Sequence, residues 1–217
     1  MGTPLDSRAA QAAEVVDRLS EAYPDATISL AFSNRFELLV AVVLSAQCTD
    51  ERVNGITPTL FEEFPTPAAF AAADPETVAD RIDSCTYYNN KAAYLVGIGE
   101  ILTAEYDGRV PETMDALTDL PGVGRKTANV VLQHGHDTTE GIVVDTHVQR
   151  LSQRLGLTEE TNPEKIEAEL MELVPESEWK ALTHWLIAHG RAVCTAQSPS
   201  CEGCLLADVC PSEGMDG

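Results

Sequence analysis

Lys126 is one of only four lysines in this 217-residue chain, and it stands directly behind a glycine turn in "LPGVGRKTANVVL", residues 120–132. A lysine there falls in the first turn of an apolar helix, beside Arg125. The positive helix end and the neighbouring cation both disfavour an ammonium, and desolvation would add to that. A neutral lysine amine is a nucleophile able to attack an electrophilic sugar carbon and form a Schiff base. The plainer alternative is a surface cation that holds a phosphate. The nucleophile needs a carboxylate partner, and "VVDTH" offers Asp145 at the entry to another helix, "VQRLSQRL". Asp145 can be that helix's N-cap, an ionised partner for Lys126, or both. Nothing in the spacing brings the two side chains together.

The glycine turn invites comparison with a nucleotide phosphate loop, but the spacing fails. Such a loop needs four residues between its first glycine and Gly-Lys-Thr, and it follows a strand. Here only Val123 separates Gly122 from Gly124, Arg125 intervenes before Lys126, and both flanks read as helix. The alternative is a helix-hairpin-helix, in which a helix ending near "MDALTDL" turns through Pro121–Gly124 into a helix starting about Arg125. Two glycines allow positive φ and a close backbone approach. The N–H groups freed at the second helix's start suit a DNA phosphate. A plain helix–helix turn, with glycines for geometry alone, is the competing reading.

A second cluster of chemistry-bearing residues closes the chain. "CTAQSPSCEGCLLADVC" spaces Cys194, Cys201, Cys204 and Cys210 as Cys-x6-Cys-x2-Cys-x5-Cys. Four thiolates so close in sequence converge on one metal centre, and Cys-x2-Cys is a chelating turn. Zinc and iron–sulfur are both open on chemistry alone. Zinc sites more often pair two short knuckles, and the single knuckle here tilts the reading to a [4Fe–4S] cluster. Cys48 and Cys85 stand alone in apolar helical patterns and read as buried small hydrophobes.

The elements that must position these groups are helices. Apolar residues recur at helical spacing in "AAEVVDRLSEAY", "FELLVAVVLSAQ", "NGITPTLFEEF", "AAFAAA", "ETVADRI", "AAYLVGIGEILTAEY", "KTANVVLQHG", "VQRLSQRLGL", "PEKIEAELMELV" and "WKALTHWLIAHGRAVC". Thr66, Asp74 and Asn162 each precede a proline, placing a capping side chain ahead of a first-turn proline. Gly108, Gly135 and Gly156 fall where helices should stop. "GIVVDTH" (141–147) is the only β-like run and is too short to found a sheet. The expectation is an all-α protein of about ten helices. The apolar run "LLVAVVL" is too short to span a bilayer, and the acidic N-terminus lacks a signal peptide's basic start and apolar centre. A soluble, cytoplasmic protein is expected.

Charge is the strongest compositional bias: 35 Asp+Glu against 14 Lys+Arg, a formal net charge of −21. The acidic residues lie along every segment, which weakens a basic-partner reading. Adaptation to a salt-rich cytoplasm accounts for the spread better than a solvated face without meaning. Such a surface repels itself in dilute buffer and is screened in concentrated salt.

Taken together, "LSAQCTD" (44–50), "YYNNKA" (87–92), "LPGVGRKTANVVL", "VDTHVQRLSQRLGL" and the cysteine array closely resemble the endonuclease III family of DNA glycosylase/AP lyases, in the same order over nearly the whole chain. The resemblance implies a two-lobed helix-hairpin-helix fold with a groove between the lobes. A six-helix barrel would occupy 28–138, with the hairpin at about 115–132. A discontinuous helical lobe would combine 1–27 with 139–217 and carry the cluster loop 194–210. The implied substrate is double-stranded DNA with oxidised pyrimidines or abasic sites, bound by a monomer, the damaged base being flipped out because a stacked base is inaccessible. Lys126 would attack C1′, Asp145 would support it, and β-elimination would nick the strand. Gln47 would fill the space left by the flipped base. The hairpin, with Gly122, Val123, Gly124, Arg125 and Thr127, would hold the DNA backbone. The cluster would be mainly structural and DNA-contacting.

Related mismatch adenine glycosylases have serine where Lys126 stands and a catalytic glutamate where this chain reads "LSAQ"; thymine glycosylases commonly have tyrosine at the lysine position. Two departures from the family pattern stand out. The usual wedge leucine is Tyr87 here, an aromatic ring able to stack into the duplex instead. The loop between the first two cysteines, usually basic, is the uncharged "TAQSPS". Each phosphate left unneutralised removes about 0.9 from the salt slope of binding, so a shallower dependence is expected. The rival readings are a metal-stabilised DNA-binding protein without chemistry and a redox sensor built on the cluster.

Overall fold

The computed structural model describes residues 4–214; the outer ends expected for the discontinuous lobe, 1–3 and 215–217, lie outside the described residues. The described residues form eleven α-helices and two short 3-10 turns. They divide into two compact units, Ser29–Glu140 and the pair of segments 4–28 and 141–214.

Within Ser29–Glu140, α2 (Arg35–Ser45) is the central element. Asn34 caps it by accepting from the Glu37 N–H at 3.0 Å, and the Glu37 carboxylate returns a bond to the Ser33 N–H at 2.7 Å. Its residues Phe36 and Leu38–Leu44 are all buried, the pattern of a helix surrounded on every side. Around it run α3 (Asp50–Glu63), α4 (Pro67–Ala71), α5 (Pro75–Arg81), α6 (Tyr88–Glu105), α7 (Met114–Thr118) and α8 (Arg125–Gly135). Thr66 and Asp74 cap α4 and α5 ahead of first-turn prolines, as their sequence signatures indicate. Phe70 of α4 is fully buried and packs against Phe36 and Phe64, with ring centroids 5.7 and 5.1 Å apart. The backbones of α4 and α6 close on each other at Gly99, where an added Cβ would lie 2.6 Å from the Pro67 carbonyl oxygen.

The other unit is built from α1 (Pro4–Ala22), α9 (Thr146–Arg154), α10 (Pro163–Leu173) and α11 (Trp179–Ala192). Ala12, Val15 and Leu19 lie three and four residues apart on one face of α1 and are all buried. They share a core with Val148, Leu151, Ile166, Leu170, Leu182 and Leu186. Asn162 caps α10 through the N–H groups of Glu164 and Lys165. The β-like run forms no strand; Ile142, Val143 and Val144 bury their side chains directly, and Thr183 Oγ1 donates to the Val143 carbonyl at 3.1 Å. No second extended segment offers this run a ladder among the described residues.

Gly108 and Gly156 follow their helices in the left-handed conformation, with φ +74° and +68°. At the end of α8 the helix stops at Gly135, as expected, without that glycine itself turning left-handed. Gly135 is the last helical residue, and Asp137 takes the left-handed turn at φ 51°. Close packing is what limits Gly135, since a Cβ there would meet Leu38 Cδ2 at 3.3 Å. No described helix is long and apolar enough to cross a membrane.

Candidate nucleic-acid interface and metal centre

The hairpin forms from α7, the turn Pro121–Gly124 and α8. Thr113 starts α7, its hydroxyl accepting from the Ala116 N–H at 3.4 Å. The Val123 N–H donates to the Leu120 carbonyl at 3.1 Å, and the Val123 side chain is buried, anchoring the turn. Of the two glycines only Gly122 needs to be one for its backbone: φ is +73° there and −97° at Gly124. Helix α6 supports the turn from beneath. A Cβ on Gly122 would lie 2.4 Å from Tyr94 Cδ2, and one on Gly97 would lie 3.2 Å from Pro121 Cγ. At Gly124 a Cβ would meet nothing within 4 Å, and no side chain caps α8. The start of α8 therefore carries no side-chain cap, and the N–H groups of a helix start suit an anion.

Lys126 occupies the first turn of α8, exposed alongside Arg125, with Thr127 half-buried. Lys126 is exposed and not desolvated, because the helix turns its first turn away from the core of this unit.

Two loops of the same unit present the other expected DNA-contacting residues. Gln47, between α2 and α3, and Tyr87, at the start of α6, are both exposed and both left-handed, with φ 54° and 58°. For a residue with a side chain this conformation costs roughly 1–2 kcal/mol, and such strain gathers at functional sites. The loops are tied to each other by three links that sequence reasoning missed. Buried Lys91 donates from Nζ to the Leu44 and Ala46 carbonyls at 2.7 Å each, satisfying the end of α2 and fixing the backbone just before Gln47. Arg52 donates to the Ser84 carbonyl at 2.9 Å. Cys48 and Cys85 meet with their sulfurs 3.6 Å apart. Cys85 is buried as expected, but Cys48 is only half-buried, because it lies in the loop beyond α2. A lysine inside an otherwise apolar helical stretch, "YYNNKAAYLV", was the available signal for the first link.

Asp145, in the other unit, is the N-cap of α9. One carboxylate oxygen accepts from the His147 and Val148 N–H groups at 2.8 Å each. His184 of α11 lies within its field. Burial pushes the His184 pKa down to about 4, Lys180 adds to that, and Asp145 opposes it. Lys126 and Asp145 belong to different units.

The four C-terminal cysteines line one space, part of it open to solvent, together with Leu151, Leu155 and His189. No three His, Cys, Asp or Glu side chains among the described residues converge on a single ion position. Four cysteine thiolates facing one shared space are the donor set of an iron–sulfur cubane, so the residues fit a [4Fe–4S] cluster. Burial raises the thiol pKa values of Cys204 and Cys210. The positive charge of bound iron is what keeps such thiols deprotonated. Polar groups surround the sulfurs: Arg154 lies 3.3 Å from Cys194 Sγ, the Leu206 N–H 3.5 Å from Cys204 Sγ, and His189 Nε2 3.5 Å from the same sulfur. Tyr23 Oη meets the other nitrogen of His189 at 3.0 Å. Arg150 and Arg154, one helical turn apart on α9, also hold the carbonyls of Cys194, Thr195 and Ala196. Their spacing in "VQRLSQRL" was visible, but their target was not.

Comparison with known proteins agrees with this arrangement. Residues 40–176 match a family described as HhH-GPD superfamily base excision DNA repair protein, and residues 194–210 match the iron–sulfur binding domain of endonuclease III. The chain is 48% identical over 208 residues to endonuclease III of Synechocystis sp., covering 96% of this chain and 95% of the relative. It is 43% identical to that of Escherichia coli K12 over 197 residues, covering 91% and 93%. Among solved structures, a trapped endonuclease III–DNA covalent intermediate superposes with a TM-score of 0.90 at 41% identity, covering 98% of both chains. A thermostable thymine-DNA glycosylase shares the fold at a TM-score of 0.80 and 20% identity, over 95% of this chain and 96% of that one.

Proposed function

The chain belongs to the endonuclease III family of base excision DNA repair proteins, and on that premise we propose that Lys126 is its nucleophile and oxidised pyrimidines in duplex DNA are its substrates. As a member of that family it is a DNA glycosylase with AP lyase activity and carries a [4Fe–4S] cluster. The observation that carries the lysine assignment is local. Lys126 is exposed in the first turn of an uncapped helix whose N–H groups and glycine turn suit a DNA phosphate.

In this reading the hairpin residues Gly122, Val123, Gly124, Arg125 and Thr127 hold the DNA backbone, while Gln47 and Tyr87 enter the duplex where the damaged base has left. Unstacking one nucleotide is a cost of a few kcal/mol, offset by these contacts. The neutral Lys126 amine attacks C1′ and the base departs with its bonding electrons. Loss of a proton from nitrogen and opening of the sugar ring give the imine. Abstraction of a C2′ proton then expels the 3′ phosphate, and water releases the lysine. Asp145 supplies the carboxylate that stabilises positive charge developing on the sugar. Cys194, Cys201, Cys204 and Cys210 hold the cluster, which organises the C-terminal loop and takes no part in these proton transfers. The setting is the cytoplasm, on nucleoid DNA.

Borohydride trapping tests the assignment. Wild-type protein and duplex DNA containing thymine glycol or an abasic site should give a covalent adduct that disappears in Lys126→Ala. DNA-binding wild type that yields no adduct would instead favour a binding protein without chemistry.

A further inference from the structure

Cys48 and Cys85 are not explained by base excision. As isolated thiols they would be ordinary small hydrophobes, yet the fold turns them toward each other at 3.6 Å, across the α2–α3 loop and the α5–α6 loop. Gln47 is the neighbour of Cys48, and Tyr87 lies two residues beyond Cys85; both have left-handed backbones and exposed side chains. We propose that Cys48 and Cys85 are a reversible disulfide site, oxidised by low-molecular-weight disulfides, that ties together the loops presenting Gln47 and Tyr87. The role of those two side chains in DNA binding rests on the function proposed above; the disulfide itself does not.

The two thiols are differentiated for the exchange. Cys48 is half-buried and reachable from solvent, whereas Cys85 is enclosed. Burial and the hydrogen bond with Cys48 push the Cys85 thiol up to about 11, with Lys91 and Arg52 opposing. Cys48 is thus the attacking group. Its thiolate, the proton lost to solvent, attacks one sulfur of the small disulfide and releases the other half as a thiolate. Cys85 then attacks the Cys48 sulfur, its proton passing to solvent, and expels the second half. Two protein thiols are oxidised to one disulfide, and one small disulfide is reduced to two thiols. The sulfurs must close from 3.6 Å to about 2.04 Å. Both cysteines lie outside regular helix, so the backbone of the two loops is what moves. In a reducing cytoplasm such bonds are transient and responsive to redox state. The structure already holds these loops through Lys91 and Arg52, so a shift at the sulfurs is passed to the residues beside them.

The test uses the holoprotein, incubated with oxidised glutathione, alkylated and digested with trypsin. Cys48 falls in peptide 36–52, Cys85 in 82–91, and all four cluster cysteines in 192–217. The expected product is a 36–52/82–91 cross-link, reversed by dithiothreitol, with peptide 192–217 unlinked. Oxidation should lower excision on lesion DNA on the order of ten-fold, since misplacing positioning groups by about 1 Å can cost roughly 100-fold in rate. Cys48→Ala and Cys85→Ala should form no cross-link and lose sensitivity to oxidised glutathione. Wild type alone decides the chemistry if a variant folds poorly. Finding both peptides alkylated separately, or Cys48 only glutathionylated, overturns the disulfide site. A cross-link that leaves excision unchanged overturns the link to the loops. Reduced wild type without excision or a borohydride adduct contradicts the glycosylase assignment, and the peptide map still reads the disulfide.

Discussion

Replacing Gly122 with alanine probes the coupling between the hairpin and α6. Two separable effects oppose a Cβ there. At φ +73° an alanine sits in the left-handed region, at a cost of roughly 1–2 kcal/mol. The same Cβ would lie 2.4 and 2.8 Å from two ring atoms of Tyr94, an overlap of the kind that costs about 1–3 kcal/mol when a neighbour must shift. Gly122→Ala should therefore destabilise the protein by about 2–5 kcal/mol, read from urea denaturation of the holoprotein. In a Tyr94→Ala background only the backbone strain remains, and the same substitution should cost about 1–2 kcal/mol. The difference is the coupling energy of a double-mutant cycle. Gly124→Ala is the control. Its φ is −97° and its Cβ would meet nothing within 4 Å, so only the poorer N-cap preference of alanine remains, and stability should fall by about 1 kcal/mol or less. DNA affinity should nevertheless fall, because a methyl group would then stand beside the uncapped start of α8. Equal costs for Gly122→Ala in the two backgrounds, or a negligible cost in wild type, would refute the packing argument.

Asp145→Asn should preserve stability because an amide oxygen can still cap α9, whereas Asp145→Ala should lose about 0.5–2 kcal/mol; both should depress borohydride trapping, and an Asn variant with wild-type trapping would remove the carboxylate's chemical role. The lowered His184 pKa binds fewer protons in the folded than in the unfolded state between about 4 and the ordinary value of 6.5, so this residue's contribution to stability falls as pH drops through that window. Comparing wild type with His184→Asn by urea denaturation at pH 5 and pH 7 should show a smaller pH dependence in the variant, and identical slopes would contradict it. With a net charge of −21, the melting temperature should rise with added KCl as screening relieves self-repulsion; a flat response would speak against salt adaptation.

Patterns local to the chain were enough to place nearly every helix. Thr66-Pro67, Asp74-Pro75 and Asn162-Pro163 announce helix starts because capping and a first-turn proline are decided within a few residues. The same holds for the hairpin, where "PGVGRK" states both the turn and the position of Lys126. The cysteine spacing likewise identifies the cluster loop, since chelation by four thiols in so short a segment is a local property. Long-range contacts lay beyond such reading. Gly122 rather than Gly124 is the constrained glycine because of its positive φ and because of Tyr94, twenty-eight positions earlier. Lys91 is buried because the end of α2 leaves carbonyls that only a distant donor satisfies. Cys48 and Cys85 become a pair only when α2, α5 and α6 bring two loops together. Helix starts and ligand spacing depend on neighbours in sequence, whereas burial, pairing and backbone strain depend on which surfaces the packed helices bring face to face.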